Sequence, residues 1–215
     1  MLLALISIFG LGTPTDLDAE RALHRDAQRM GQWTAFRAYA GRDAVMFTPQ
    51  VVWARDYLRN RKDPATALQW SPNASYVSCD GRIAVNTGPF TSASGNQSGY
   101  FTTVWQKEKR RWRWIYDGGD VLQAPIAALK TPVVTKGSCR GRAPGAPLIV
   151  APTTKKGPRG QAPDDYGTGQ SADRTLAWDW KVDSKGVRRF RTFLWNGRDY
   201  TTALEQIVAP PSGLR

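Results

Sequence analysis

The stretch GYFTTVWQKEKRRWRWIYDGGD, residues 99–120, decides how this chain folds. Two runs rich in aromatic and β-branched residues, Tyr100–Gln106 and Arg111–Tyr116, flank the charged residues 107–110. Such runs are typical of β-strands, and a short charged segment between them is typical of a turn. The stretch therefore predicts an antiparallel hairpin whose exposed charged tip resists association with other strands.

Aromatic and basic residues alternate in this hairpin, as they do on surfaces that stack nucleic-acid bases. Side chains along a strand point alternately to opposite faces. The alternation places Trp112, Trp114 and Tyr116 on one face and Asp117 on the other. Base stacking requires exposed rings, whereas three rings on one face indicate a core. We therefore expect buried aromatic rings and no nucleic-acid-binding surface.

The composition is that of a folded protein, with 215 residues, nine tryptophans and 41% hydrophobic residues. The net charge of +12 is uneven: residues 1–123 hold 15 Lys/Arg and 11 Asp/Glu, whereas residues 124–215 hold 15 and 7. Disorder throughout the chain is excluded by this composition. The length suits one domain with a good core and an extension.

The first 122 residues read as helices followed by strands. Residues 18–40 have helical periodicity, with Asp16 or Asp18 as the cap, and Gly31 predicts a bend or a junction between two helices. A short strand at 44–47 and a short helix at 53–63 follow. From residue 74 onward, alternating strands separated by turn residues predict an antiparallel sheet.

The remaining chain reads as a linker and a small sheet. Residues 123–172 are basic and rich in proline and glycine, which predicts a flexible linker. Residues 173–215 predict a meander of three strands, too small to be stable alone and therefore packed on the first domain. Four arginines give this segment its basic character: Arg188, Arg189, Arg191 and Arg198.

The chain begins with an uninterrupted apolar run, residues 1–12. Its length is that of the hydrophobic core of a secretory signal, and it is too short to span a bilayer. Residues 1–17 are therefore predicted to be a signal peptide, which places the protein in the periplasm or outside the cell. A buried N-terminal helix in a cytoplasmic protein is the alternative. We expect no transmembrane span in the mature chain.

Two cysteines, Cys79 and Cys139, allow one pairing. In an oxidising compartment they would form a disulfide that fixes the linker to the sheet. Two unrelated buried thiols are the alternative. The spacing of cysteine and histidine does not indicate a metal site, and we expect no metal and no cofactor.

The segment GQWTAFRAYAGRDAVMFTP, residues 31–49, resembles the helix-to-strand signature G-x-x-x-A-F-x-x-Y-x-x-x-D-A-V-x-F-x-P of the nuclear transport factor 2-like superfamily, in its SnoaL-like and ketosteroid-isomerase-like branch. Residues 88–120 resemble the sheet half of the same group, so the resemblance covers residues 18–122. It implies an α+β, cystatin-like cone in which a curved antiparallel sheet wraps around N-terminal helices and encloses an apolar pocket. Members use this fold for catalysis, for ligand binding or for dimerisation, so the fold does not settle the function.

Candidate site residues are few. The acid–base candidates are Asp117 at the end of a strand, Tyr116 as a polar wall if the tryptophan face is the pocket, and His24, the only histidine. In that arrangement Asp117 points away from the pocket and caps the strand end. The steroid isomerase set, a helical tyrosine with two separated aspartates, has no match here. The aromatic residues expected to line the pocket are Trp33, Phe36, Phe47, Trp70, Tyr76, Trp105 and Trp114.

Three functions fit these observations. The favoured one is an exported, non-catalytic pocket protein that binds a small apolar ligand or serves as an accessory domain. The second is a small acid–base enzyme of the isomerase, dehydratase or cyclase type. The third is an interaction module whose basic tail contacts anionic partners. A homodimer is left open. An ionisable side chain that faces the cavity would favour the enzyme.

Overall fold

The computed structural model describes residues 15–147 and 163–210, which contain three helices and two sheets. The helices are α1 (Asp16–Met30), α2 (Gln32–Tyr39) and α3 (Ala54–Leu58). Thr15, rather than Asp16 or Asp18, caps α1, because its side chain accepts a hydrogen bond from the Asp18 backbone while the Asp18 side chain accepts one from Thr15. Gly31, at a φ of 104°, ends α1 and begins α2, which is the predicted junction.

The first sheet has eight strands in the order β2-β1-β7-β6-β5-β4-β8, and β3 pairs with β5. Most neighbours are antiparallel, but β1 pairs with β7 and β4 pairs with β8 in parallel. The sheet is curved and does not close, so the α+β, cystatin-like fold expected from the sequence is confirmed. The strands are β1 (Ala40–Phe47), β2 (Val51–Trp53), β3 (Gln69–Trp70), β4 (Ala74–Val77), β5 (Ile83–Thr91), β6 (Ser98–Glu108), β7 (Arg111–Leu122) and β8 (Val133–Lys136).

The three helices pack on one face of this sheet, here called the inner face. Leu23 of α1 and Ala35 of α2 are buried against the indole rings of β6 and β7. Trp105 is 0% exposed and Trp112 is 7% exposed, so the predicted burial of both rings is confirmed. The predicted hairpin is present, but its turn is shorter than the expected segment 107–110, because Lys107 and Glu108 belong to β6. The turn holds two residues, and Lys109 there adopts a positive φ of 56°.

A second, four-stranded antiparallel sheet covers the opposite, outer face of the first sheet. Its order is β12-β11-β10-β9, and apolar residues of both sheets form one buried cluster. The strands are β9 (Tyr166–Gln170), β10 (Leu176–Val182), β11 (Arg188–Trp195) and β12 (Tyr200–Val208). The packing of this sheet on the first one agrees with the sequence, but it has four strands where three were expected.

The segment expected to be a linker, residues 123–172, contains two strands, one in each sheet. Strand β8 extends the first sheet by pairing with β4, and β9 forms one edge of the second sheet. Residues 148–162 of this segment, like residues 1–14 of the predicted signal, lie outside the described residues. Within the part of the chain that the structure describes, no helix is both long enough and apolar enough to cross a membrane.

The predicted disulfide between Cys79 and Cys139 is confirmed, with the two Cα atoms 5.3 Å apart. It lies where the two sheets meet. The backbone N–H of Cys79 donates to the Thr175 hydroxyl at 2.7 Å, and the Ser138 N–H donates to the Trp195 carbonyl at 2.7 Å. The disulfide therefore joins the β4–β5 turn to the segment after β8, and the two hydrogen bonds connect both to the second sheet.

Candidate functional site

A cavity of about 590 Å³ lies on the inner face of the first sheet and extends to the second sheet. Its walls are mostly apolar. The aromatic rings on the walls are those of Trp33, Phe36, Phe47, Trp70, Phe90, Tyr100 and Phe101. The polar side chains are those of Glu20, Gln32, Thr48, Gln50, Thr103, Asp117, Asp120, Asp165 and Arg188. Small-molecule sites in proteins commonly have this size and this mixture of an apolar wall with a few polar groups.

Asp117 lines the cavity because β7 contains a β-bulge. Trp114 pairs with Trp105 whereas Tyr116 pairs with Val104, so Ile115 is an extra residue in β7. One extra residue reverses the alternation of side chains beyond it. Trp114 consequently packs under the helices, Tyr116 packs against the second sheet, and Asp117 returns to the inner face.

The predicted orientation of these two residues is therefore wrong. Strict alternation made Tyr116 the polar wall of the pocket and turned Asp117 away from it. Tyr116 is 1% exposed and lies among aromatic rings of the second sheet, with the Phe190 ring centroid 4.6 Å away. Its burial raises the pKa of the phenol well above the usual range, so Tyr116 is not available as an acid at neutral pH.

The carboxyl group of Asp117 is half-buried and accepts one hydrogen bond, from the Thr103 hydroxyl at 3.2 Å. Burial, together with the nearby carboxyl group of Glu20, raises the pKa of Asp117 to about 7. The Thr103 hydrogen bond and the positive charge of Arg188 act in the opposite direction. Asp117 is therefore a cavity carboxyl group that gains and loses a proton near neutral pH.

Glu20 lies deeper, at 1% exposure, and is held by three N–H donors. The indole nitrogen of Trp70 donates at 2.9 Å, that of Trp105 at 2.6 Å and the amide of Asn86 at 3.4 Å. Burial raises the pKa of Glu20 to about 7 in spite of these donors. Because the carboxyl groups of Glu20 and Asp117 influence each other, their titrations are coupled.

Glu20 is not among the site residues predicted from the sequence. The sequence nevertheless contains a signal that Glu20 faces the interior. Glu20 precedes Leu23 by three residues and Ala27 by seven, so it lies on the apolar stripe of α1 that faces the sheet. A carboxyl group at such a position is either paired or titrates at a raised pH.

Arg188 of β11 is a basic residue on the cavity wall, and it is 7% exposed. Its guanidinium lies 4.1 Å from the Phe47 ring centroid and donates a hydrogen bond to the Gly119 carbonyl of β7. Alternation along β11 places Arg188 on the same face as the buried Phe190 and Leu194, but the sequence does not show that this end of the strand reaches the cavity.

The other predicted site residues are divided between the cavity and the core. Trp33, Phe36, Phe47 and Trp70 line the cavity, whereas Trp105 and Trp114 are 0% exposed and lie beneath it. Tyr76 packs toward the second sheet, because its neighbour Ser75 takes the inner face and donates to Asp16 at 2.7 Å. His24 is outside the cavity, where its Nε2 lies 3.0 Å from the Gln69 side-chain oxygen.

This arrangement suits proton transfer. A carboxyl group whose pKa is near the working pH can act as a base in one step and as an acid in the next. An apolar wall keeps water away and strengthens the electrostatic interactions inside. Among the described residues, no group of three or more histidine, cysteine, aspartate or glutamate side chains is placed to hold a metal ion.

Comparison with known structures finds proteins of this fold. Residues covering 51% of this chain superpose on 89% of a candidate ketosteroid isomerase from Parabacteroides distasonis, with 18% sequence identity and a TM-score of 0.42. A nuclear transport factor 2-like protein of unknown function from Shewanella oneidensis has 16% identity over 47% of this chain and 96% of its own, with a TM-score of 0.38. A cystatin-like fold protein from Burkholderia xenovorans has 14% identity over 49% of this chain and 84% of its own, with a TM-score of 0.36.

The Shewanella protein is described as nuclear transport factor 2-like, which is the superfamily that residues 31–49 and 88–120 of this chain resemble. At these identities the likeness assigns no activity to this chain. No protein-family model matches the sequence, and no curated protein matches it.

Proposed function

We propose that this protein binds a small, largely apolar molecule in its cavity and that Asp117 exchanges a proton with it. The observation that carries the proposal is the Asp117 carboxyl group, which has a pKa raised to about 7 and lies on the wall of a mostly apolar cavity of about 590 Å³. Aromatic walls bind an apolar body, and the carboxyl group supplies the chemistry.

The enzyme is preferred here over the non-catalytic pocket that the sequence favoured. A pocket that only binds an apolar ligand gains nothing from a buried carboxyl group, because burial penalises its charged form. Asp117 has one hydrogen-bond donor in the described structure, the Thr103 hydroxyl, and its remaining oxygen lone pairs are free to meet a ligand. A purely structural carboxyl group is usually saturated with donors, as Glu20 is.

The third function, an interaction module whose basic tail contacts anionic partners, has less support than the enzyme. Residues 163–210 contain seven Lys/Arg and seven Asp/Glu, so the second sheet carries no net charge. Arg188 is buried, and Arg191 forms an ion pair at 2.6 Å with Asp179, which is 0% exposed. Two of the four arginines are therefore unavailable to an external anion.

The proposal includes export to an oxidising compartment. Disulfides persist in such compartments and are rare in the cytosol. The Cys79–Cys139 bond and the apolar N-terminal run are the two features that support this location.

Proton transfer can be tested without knowing the natural ligand. The neutral ketone 2-tetralone is apolar, fits a cavity of this size and has acidic α-hydrogens. In D2O the wild-type protein should accelerate deuterium exchange at these positions, as followed by proton NMR. The rate should rise with pH up to about 7, as Asp117 loses its proton.

The matched variants are Asp117→Asn and Asp56→Asn, the latter at an exposed residue in the middle of α3. The Asp117 variant should still bind 2-tetralone but should lose the acceleration, and the Asp56 variant should behave as the wild type does. Binding without acceleration in the wild type would reject proton transfer and leave a non-catalytic binding protein.

A further inference from the structure

Arg188 stands at the start of β11, between two neighbouring strands of the second sheet. Its backbone pairs with Val182 of β10 and with Val208 of β12. Both valines line the cavity together with Arg188. The second sheet, which lies outside the segment that resembles the superfamily, therefore forms part of the cavity wall.

Two contacts hold the Arg188 side chain against the first sheet. The guanidinium stacks on Phe47 at the end of β1, and it donates to the carbonyl of Gly119, two residues after Asp117 on β7. Phe47, Asp117, Gly119 and Arg188 all line the cavity. The positive charge is thus fixed on the same wall as the Asp117 carboxyl group, in a place that water hardly reaches.

We propose that Arg188 is a positioning residue of this site: the second sheet places its guanidinium on the cavity wall, where its charge favours the ionised form of Asp117. The consequence for proton transfer rests on the function proposed above. The coupling between the two side chains does not, because it is a property of the protein without a ligand.

The groups around Asp117 have opposite effects on the ionisation of its carboxyl group. Glu20 of α1 is acidic and opposes ionisation, whereas the Thr103 hydroxyl of β6 and the Arg188 guanidinium of β11 favour it. Asp120 of β7 is a further acidic side chain on the cavity wall. Among these groups Arg188 is the one positive charge, and a guanidinium keeps its charge over the whole pH range in which proteins are folded.

The test is the titration of Asp117 in Arg188→Met, followed by NMR of the aspartate carboxyl carbons and assigned with Asp117→Asn. Methionine keeps an unbranched apolar stem but removes the charge. Loss of a nearby positive charge should raise the pKa of Asp117 by about 1. The deuterium exchange of 2-tetralone should then need a correspondingly higher pH.

Arg189→Met is the matched control. Arg189 is the next residue of the same strand and faces away from the cavity, with its side chain 52% exposed and 3.5 Å from Glu205. Its loss should leave the pKa of Asp117 unchanged within the error of the titration. Equal shifts in the two variants, or no shift in Arg188→Met with the fold intact, would overturn the proposal.

A second measurement covers the case in which Arg188→Met does not fold. In the wild type, the side-chain Nε–H resonance of Arg188 should follow the ionisation of Asp117 and move with its pKa. In Asp117→Asn this pH-dependent movement should disappear. An Arg188 resonance with the same pH dependence in both proteins would overturn the proposal. If the wild type does not accelerate deuterium exchange, the proposed function fails while these titrations still decide the coupling.

Discussion

The two carboxyl groups at the cavity show how position on an element decides the role of a residue. Glu20 is 1% exposed and accepts a hydrogen bond from each of three strands, so it holds α1 against the first sheet. Asp117 has one donor and an open side toward the cavity. The first group is therefore a structural anchor, and the second is the one to which we assign the proposed proton transfer.

The raised pKa of Asp117 predicts how stability depends on pH. The folded protein holds this proton up to about pH 7, whereas the unfolded chain loses it near pH 4, so between these values the folded state binds more protons. The contribution of Asp117 to the free energy of unfolding is therefore full below about pH 4 and is lost as the pH rises through 7. Asparagine does not titrate and should avoid this loss.

We therefore expect Asp117→Asn to be more stable than the wild type at pH 8 by a margin that shrinks toward pH 5. Urea unfolding at both pH values measures it, with Asp56→Asn as the control for the loss of an exposed charge. A constant difference between Asp117→Asn and the wild type at the two pH values would contradict the raised pKa.

The sequence indicated Asp117 as a candidate site residue, but it did not show that the side chain faces the cavity. Strict alternation is a sound rule for a regular strand, and the bulge at Ile115 depends on how β6 and β1 pair with β7, which no local pattern in RWRWIYDGG reports. Arg188 was missed for a related reason. Its inward turn is set by the packing of one sheet on another, a contact between residues far apart in the chain.

At the scale of the element, β9 shows why a strand can be overlooked. Its sequence, YGTGQ, has glycine at two of five positions and reads as a loop. The structure requires these glycines. A Cβ at Gly167 would lie 2.4 Å from the indole nitrogen of Trp180, and a Cβ at Gly169 would lie 2.6 Å from the Trp178 ring.

Gly169→Ala should therefore destabilise the second sheet. The methyl group would push the Trp178 ring out of its place, at a cost of about 1–3 kcal/mol for overpacking. Thermal unfolding measures the loss, and Thr168→Ala, whose side chain points to the other face of the strand, is the control. An unchanged melting temperature in Gly169→Ala would show that β9 does not pack as described.

Strand β8 was missed because its signal is short and its partner is distant. Its four residues, VVTK, follow a proline and pair in parallel with β4, more than 50 residues earlier. By contrast, the hairpin of β6 and β7 was predicted because a tight turn joins its strands and each strand carries its own alternation. A pairing between strands that are adjacent in the sequence can be predicted from the local pattern, whereas a pairing between distant strands cannot.

In the molecule as a whole, the disulfide ties the segment after β8 to the β4–β5 turn, as the sequence predicted. Cys79 and Cys139 close a loop of 60 residues. On the chain-entropy model, such a loop contributes about 4 kcal/mol to the free energy of unfolding, because it restricts the unfolded chain.

The double variant Cys79→Ser, Cys139→Ser should lose a large part of this stability, and the wild type in dithiothreitol should match it. Urea unfolding with and without the reductant provides the comparison. Dithiothreitol should have no effect on the double variant, which serves as the control. Equal stability of the double variant and the oxidised wild type would contradict the role given to the bond.

The parallel pairing of β1 with β7 also has a consequence for the order in which the chain can fold as it is synthesised. Strand β1 leaves the ribosome early, yet its neighbour β7 begins some 70 residues later, and the outer face of the first sheet stays uncovered until residues 166–208 follow. For that interval the nascent chain presents valine and tyrosine side chains to solvent, a state that invites aggregation. Completion of the native topology therefore waits for the last quarter of the chain.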